Sequence, residues 1–421
     1  MTFNTSPRLV EAVEALAREG LAPAPREHEP AAESHPAWLK LRQLGTRLWL
    51  DTGDIAGASK HWTDEFEALT TNNTLLNREV QKGIYDAFIA EILSSSAVLQ
   101  DLDAEQKTIE LALILNARHG LKLVDRFDAW VSVELHTALA DDQEKTVWYG
   151  QRLYDICPER FIIKVPLTPA GYLAARTLAD RGVQVNFTLG FSARQNYLAA
   201  LLAQPAFVNV FLGRLNSFVA DNDLGDGENV GEKTLTASQR AVSELRFQRE
   251  LTTHQIAASM RSGDQVSALA GADVMTLPLS VADEFVSSPL SSEELIPLTD
   301  QRHAVNLEPG DAQDITRVLW EVTPNFKVAA RELLDQPLDE FEADDLRSFF
   351  AARELGDLFP AWSEQDIQTI VADGKFPRYH HWVDRLHEND VALDALMSES
   401  GLKRFAADQE ALDARIEDHL S

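Results

Sequence analysis

A closed (β/α)8 barrel of the TIM type is the α/β fold that this sequence predicts, with a helical arm at the N-terminus and a helical extension at the C-terminus. Three observations carry that reading. Short apolar runs alternate with amphipathic segments between residues 48 and about 280. Such alternation calls for a parallel sheet, because parallel strands need crossovers and helices then cover the sheet. The runs number eight, which suits a closed barrel better than an open sheet. From about residue 300 onward no strand signal returns.

Taken in order, residues 1–45 read as the arm. Pro7 to Gly20 alternates charged and apolar residues at helical spacing, and a proline-rich interruption follows at Ala22–Pro30. The barrel is assigned to 46–300. Its strands are expected at Leu48–Asp51, Ala68–Thr71, Ala129–Leu135, Phe161–Val165, Val183–Leu189, Phe207–Leu212, Gln255–Ser259 and Val274–Leu277. Between them, Gly171–Arg181 and Ala193–Leu202 place alanine and leucine at three- and four-residue steps. The extension is assigned to 301–421. There Ala312–Val322, Lys327–Leu334 and Gln365–Ala372 read as helices, and Phe405–His419 sets Phe405, Leu412 and Ile416 among acidic residues.

Charge narrows the function classes. The chain has 38 basic and 67 acidic residues, a formal net charge of −29, with no basic cluster. Such a surface repels a nucleic-acid backbone or an anionic membrane, and its plain reading is solubility. An anionic substrate would have to be held by a few placed arginines. One cysteine, Cys157, leaves no internal disulfide and no multi-cysteine metal site. No apolar run is long enough to cross a bilayer, and the start lacks the layout of a signal peptide, so the chain reads as cytoplasmic.

Barrel enzymes place their chemistry at the carboxyl ends of strands. Six of the runs carry a polar residue there: Asp51, Asn72, Glu134, Lys164, the pair Asn186 and Thr188, and Arg214. Asn186 and Thr188 are two apart and share a face. Each residue alone has a bland alternative. Asp51 is equally read as a cap of the Thr52-Gly53 turn, Glu134 and Arg214 as ion-paired groups, and Lys164 as a side chain snorkelling from a strand edge. The set shifts the balance, since two carboxylates and a lysine project from three otherwise apolar strands. Burial disfavours an ammonium ion, and a neutral amine can attack a ketone to form a Schiff base. The proton transfers then need positioned carboxylates.

The motifs resemble those of the transaldolase family. They are Leu50-Asp51-Thr52-Gly53-Asp54-Ile55-Ala56, Leu69-Thr70-Thr71-Asn72-Asn73-Thr74-Leu75, Val131-Ser132-Val133-Glu134 and Ile162-Ile163-Lys164-Val165-Pro166-Leu167-Thr168. Asn186-Phe187-Thr188-Leu189-Gly190-Phe191-Ser192 with Gln195 is the most specific match. Phe211-Leu212-Gly213-Arg214, Ala257-Ala258-Ser259-Met260-Arg261, Ala270-Gly271-Ala272-Asp273 and Phe405-Ala406-Ala407-Asp408-Gln409 complete the series in order.

The resemblance implies that Lys164 forms the Schiff base and that Asp51 is the acid/base at the bond being broken. It implies that Glu134 and Thr188 hold the water that carries protons, and that Asn72 and Asn186 orient substrate hydroxyls. Asn209 would stand at the ketol end, Phe211 would stand where transferring members carry phenylalanine and releasing members tyrosine, and Arg214, Ser259 and Arg261 would bind phosphate. The reaction implied moves a dihydroxyacetone unit from fructose 6-phosphate or sedoheptulose 7-phosphate to glyceraldehyde 3-phosphate or erythrose 4-phosphate. That is a step of the non-oxidative pentose phosphate pathway, performed without metal or organic cofactor by a monomer or homodimer. This chain departs from the pattern at Asn73, where the family usually has proline, at Asn209, where serine is common, and at Met260, which replaces phenylalanine.

Two other functions stay open at this point. One is an aldolase that releases free dihydroxyacetone; the other is a retired barrel used for binding, which the retained Lys164 and Asp51 disfavour. Two motifs are decoys. Asp221-Asn222-Asp223-Leu224-Gly225-Asp226-Gly227 resembles a calcium loop, but its third acidic residue and its glycine each come one position late. His380 and His381 are adjacent, so their side chains diverge, with no carboxylate at ligand spacing.

Overall fold

The computed structural model describes residues 4–21, 33–288 and 292–419. Eight parallel strands close on themselves in chain order, β8 pairing with β1. They are β1 (Arg47–Asp51), β2 (Phe66–Thr70), β3 (Trp130–Glu134), β4 (Phe161–Pro166), β5 (Val185–Thr188), β6 (Phe207–Phe211), β7 (His254–Ala258) and β8 (Val274–Leu277). Each coincides with an expected run to within two residues. The apolar runs are continuous because a parallel strand under helices is buried on both faces.

Trp49 of β1 meets Phe207 of β6 edge-on at 4.7 Å. These strands are not neighbours, so the contact crosses the barrel interior. Strand side chains alternate in direction, so Asp51, two residues on, points to the same interior. The helices between strands start where the sequence offers a cap. Thr168 accepts from Gly171 N ahead of the helix Pro169–Asp180, and Ser192 accepts from Gln195 N ahead of Ala193–Leu202.

The arm forms the helix Pro7–Arg18, with Ser6 as its cap, proline in its first turn, and Leu9, Val13 and Ala17 buried on one face. The expected interruption at Ala22–Pro30 lies outside the described residues. The helix Pro36–Gln43 follows, and its Trp38 packs between Phe66 at 5.2 Å and Phe285 at 5.0 Å.

The extension is helical. Pro324–Leu333 and Glu364–Asp373 overlap two expected helices, and Leu393–Glu417 begins well before the third, Phe405–His419, and ends two residues short of it. The expected helix at Ala312–Val322 is instead a short helix, Asp311–Thr316, and a 3-10 turn, Arg317–Leu319. Thr316 bonds its hydroxyl back to Ala312 O at 2.6 Å in the last turn of the short helix. Two further helices, Ala343–Ala351 and Tyr379–His387, were not among those expected, though each buries an apolar face, Leu346, Phe349 and Phe350 in the first and Trp382 and Leu386 in the second.

A buried charge network fastens the last helix to the barrel. Asp394, fully buried, accepts from Arg194 Nε at 2.8 Å and from Ser192 Oγ at 2.6 Å, and Arg194 also pairs with Asp357 at 2.9 Å. Gln195 adds a bond from its Nε2 to Ser398 Oγ at 3.0 Å. The turn after β5 and the helix Leu393–Glu417 are thus joined by a buried ionic network. That helix runs over the carboxyl end of the barrel, where the polar residues gather.

Candidate active site

A cavity of about 820 Å³ opens at the carboxyl ends of the strands. Asp51, Asn72, Lys164, Asn186, Asn209, Phe211, Arg214, Ser259 and Arg261 all line it. Glu134 and Thr188 do not; they are buried behind its wall, at 4 % and 1 % exposure.

Strand register builds the floor. Glu134 on β3, Lys164 on β4 and Asn186 on β5 are register partners, so a carboxyl, an amine and an amide stand in one row. Lys164 is only 5 % exposed and donates from Nζ to Thr71 O at 2.5 Å. It is an interior residue, not a snorkelling one. Asn186 donates from Nδ2 to Ser132 Oγ at 3.1 Å, while its Oδ1 and the Thr188 Oγ1 have no partner among the described residues. Orphaned buried oxygens are uncommon and mark places where a water or a ligand hydroxyl fits.

Asp51 accepts from Thr70 Oγ1 at 2.8 Å, and Thr70 in turn meets Thr276 Oγ1 at 2.6 Å. The turn beyond β1 is closed by others: Asp54 N bonds to Thr52 Oγ1, and Asp54 caps the next helix. Asp51 thus has no capping role. Burial raises its carboxyl above the usual range, against the pull of Lys164, the Thr70 bond, Arg261 and Arg78. Burial likewise pushes Glu134 up to about 7, against Lys164 and a backbone bond from Asn73. Neither carboxyl has an ion-pair partner within 4 Å among the described residues.

The upper wall is basic. Arg214 is buried and its guanidinium lies beside Phe211 and Phe405, 5.8 and 5.6 Å from their ring centres. It has no carboxylate partner among the described residues, and burial together with Arg261 and Arg404 lowers it to about 10. Gly213 allows this crowding, since a Cβ there would sit 2.2 Å from Ser259 O and 2.6 Å from Arg261 Cγ. Ser259 itself takes a left-handed backbone, φ 61°, which turns the chain from β7 toward Arg261.

Two predicted side chains are already partly engaged. Asn72 Oδ1 caps the helix Asn73–Gln81 through Leu75 N at 2.8 Å, and Asn209 Oδ1 accepts from Gly190 N at 3.2 Å. Each retains its Nδ2 for a ligand.

Sequence reasoning missed Arg78, Lys375, Lys403 and Arg404, which also line the cavity. Arg78 lies six residues beyond Asn72 on a helix, and the other three come from the extension. No strand-end rule reaches them. Thr74 Oγ1 bonds to Asp408, and His136 Nε2 meets Asp413 at 3.0 Å, so the last helix is tied directly to the rim. Among the described residues no cluster of three or more His, Cys, Asp or Glu is arranged to hold a metal ion. In the acidic loop, Asp226 accepts from Glu228 N at 2.9 Å and from Asn306 Nδ2 at 3.0 Å. His381 is paired with Asp373 at 2.7 Å. No described helix is long and apolar enough to cross a membrane.

Comparison with known proteins identifies the family. Residues 48–351 match the model of the family described as transaldolase/fructose-6-phosphate aldolase. The chain is 37% identical over 158 residues to a probable transaldolase of Rhodospirillum centenum, covering 37% of this chain and 62% of that protein. It is 27% identical over 327 residues to a transaldolase of Aeromonas salmonicida, covering 75% of this chain and 99% of that one. With a transaldolase of Shewanella oneidensis the identity is 26% over 305 residues, covering 71% and 92% of the two chains. The match runs through all eight strands, and the chain belongs to the transaldolase/fructose-6-phosphate aldolase family.

Proposed function

We propose that the chain is a transaldolase, a transferase that carries a dihydroxyacetone unit on Lys164 from a ketose phosphate to an aldose phosphate. The donors would be fructose 6-phosphate or sedoheptulose 7-phosphate, and the acceptors erythrose 4-phosphate or glyceraldehyde 3-phosphate. One observation carries the reading: a buried amine shares its cavity with a raised carboxyl, Asp51, and with an unpaired buried guanidinium, Arg214.

The chemistry follows from those positions. Lys164 Nζ attacks the substrate ketone, forming a carbon–nitrogen bond, and water leaves to give an iminium. Glu134, pushed up to about 7, is suited both to give and to take the protons of that step near neutral pH. A water on Thr188 Oγ1 would relay them. Asp51 then takes the proton of the C4 hydroxyl. The C3–C4 bond breaks, its electrons pass into the iminium, an aldose phosphate departs and an enamine stays on Lys164. Addition of a second aldehyde reverses the sequence. Arg214, Ser259 and Arg261 would hold the phosphate; a dianion relieves the mutual repulsion of arginines that no protein carboxylate neutralises. Asn72, Asn186 and Asn209 would fix the hydroxyls.

Phe211 favours transfer over release of dihydroxyacetone. It packs against Phe191 at 5.8 Å and Phe405 at 6.3 Å, an apolar wall without a hydroxyl. The test is borohydride reduction in the presence of fructose 6-phosphate, followed by peptide mass analysis. The adduct is expected on the peptide containing Lys164; an adduct on another lysine, or none, defeats the proposal.

A further inference from the structure

The helix Asn73–Gln81 begins beside Glu134. Its first residue, Asn73, is 1 % exposed and donates its backbone N–H to Glu134 Oε2 at 3.1 Å, while its side chain donates from Nδ2 to Leu135 O at 3.3 Å. The first N–H groups of a helix have no intrahelical acceptor, so this donor is available to a carboxylate, and a helix N-terminus favours negative charge. Among the described residues it is the one hydrogen bond made to the Glu134 carboxyl.

We propose that Asn73 is a positioning residue for the proton-transfer step: its main-chain N–H holds Glu134 Oε2 and steadies the ionised form, leaving Oε1 to exchange protons at the Schiff base. Two features make the assignment specific. The donor is backbone, so it depends on residue 73 having an N–H and not on the asparagine side chain. The side chain performs a different task, tying the helix start to the end of β3. Asn116 holds that same stretch from the other side through Glu134 O.

The surroundings leave little else to hold Oε2. Lys164 and Arg214 favour the ionised form of Glu134, and Asp51 opposes it. His136 and Tyr149 pack nearby but are engaged with Asp413 and Glu110. A carboxylate released from the Asn73 N–H would lose a charge-assisted bond and become harder to ionise.

Replacement by proline removes the N–H at a helix position where proline is tolerated, and replacement by alanine keeps it. The rate of reducible imine formation with fructose 6-phosphate, followed against pH, would locate the inflection that Glu134→Gln abolishes. In Asn73→Pro that inflection should move up by about one pH unit, from the loss of one bond to a charged acceptor. In Asn73→Ala it should stay where wild type has it. An unmoved inflection in the proline variant, or an equal shift in the alanine variant, overturns the proposal. A second measurement needs no substitution at 73. In the intact chain the ¹⁵N resonance of the Asn73 amide should titrate with the Glu134 inflection and lose that response in Glu134→Gln; an amide that ignores the inflection also overturns it. The inference rests on Lys164 as the Schiff-base residue. Absence of any trapped imine would defeat that reading, and the amide titration would still decide the role of Asn73.

Discussion

Glu134 and Lys164 are register partners on β3 and β4, a carboxyl beside an amine with apolar strand on either side and the barrel interior in front. Neither side chain is more than 5 % exposed. The pairing brings the Glu134 carboxyl within electrostatic reach of the Lys164 amine, and backbone hydrogen bonding fixes it. Its cost is borne by Glu134, which burial pushes up to about 7.

That cost has a measurable sign. A carboxyl whose folded value lies above its unfolded one supports the fold fully below the unfolded value, and the support is lost as pH rises through the folded value. For Glu134 the window runs from the ordinary glutamate value of 4.5 to about 7. Glu134→Gln should match wild type in stability near pH 4.5 and exceed it above pH 7, by about 3 kcal/mol. The same variant should form the Schiff base more slowly. Denaturant unfolding at both pH values checks the first expectation, and borohydride trapping rates check the second. Equal trapping rates in wild type and variant would remove Glu134 from the proton-transfer step.

Asp51 separates the two halves of the reaction. Asp51→Ala leaves Lys164, Glu134 and the phosphate arginines in place, so the imine should still be trapped with fructose 6-phosphate. Carbon–carbon cleavage should fall by about 10²- to 10⁴-fold, the usual loss when a positioned base is removed. Release of glyceraldehyde 3-phosphate, read in a coupled assay, reports the cleavage. Parallel loss of trapping and cleavage would make Asp51 a structural support of the β1–β2 edge, where it holds Thr70.

The arginines should act on phosphate alone. Arg214→Ala and Arg261→Ala should each raise KM for fructose 6-phosphate by about 10- to 150-fold, the loss of one charge-assisted contact of 1.5–3 kcal/mol. Unphosphorylated fructose should be affected far less. Inorganic phosphate should raise the melting temperature of the wild type more than that of either variant, because only a ligand bound to the folded state stabilises it. Comparable losses on both sugars would mark these arginines as structural.

The barrel was legible because its strands are buried on both faces and read as unbroken apolar runs, closed by polar residues with no business in such company. Asp51, Glu134 and Lys164 stood out for that reason. Asn73 did not: its contribution is a backbone N–H, which every residue but proline has. Lys375 and Arg404 were hidden for another reason. They reach the cavity from the extension, and Arg404 does so on the helix that the buried Arg194–Asp394 pair, two residues 200 positions apart, ties to the barrel. The division of Ala312–Val322 was missed because the 3-10 turn Arg317–Leu319 continues the helical spacing of apolar residues, so periodicity does not register the change.

The last expectation concerns the fate of the enamine. After cleavage, the three-carbon unit on Lys164 is released only if its carbon is protonated and the imine then hydrolysed. An acidic hydroxyl near the enamine would help both steps. Phe211 lines the cavity at the end of β6, between Phe191 and Phe405, and offers no proton. With no hydroxyl from Phe211 to protonate it, the enamine should wait for an aldehyde. Fructose 6-phosphate alone should therefore be turned over for about one equivalent per site and then stall, as expected when a covalent intermediate accumulates. Erythrose 4-phosphate should restart the reaction. Phe211→Tyr should shift the balance toward free dihydroxyacetone by placing a hydroxyl on that wall. Steady production of dihydroxyacetone by the wild type over many turnovers, with no acceptor present, would instead assign the chain to the aldolase branch of its family.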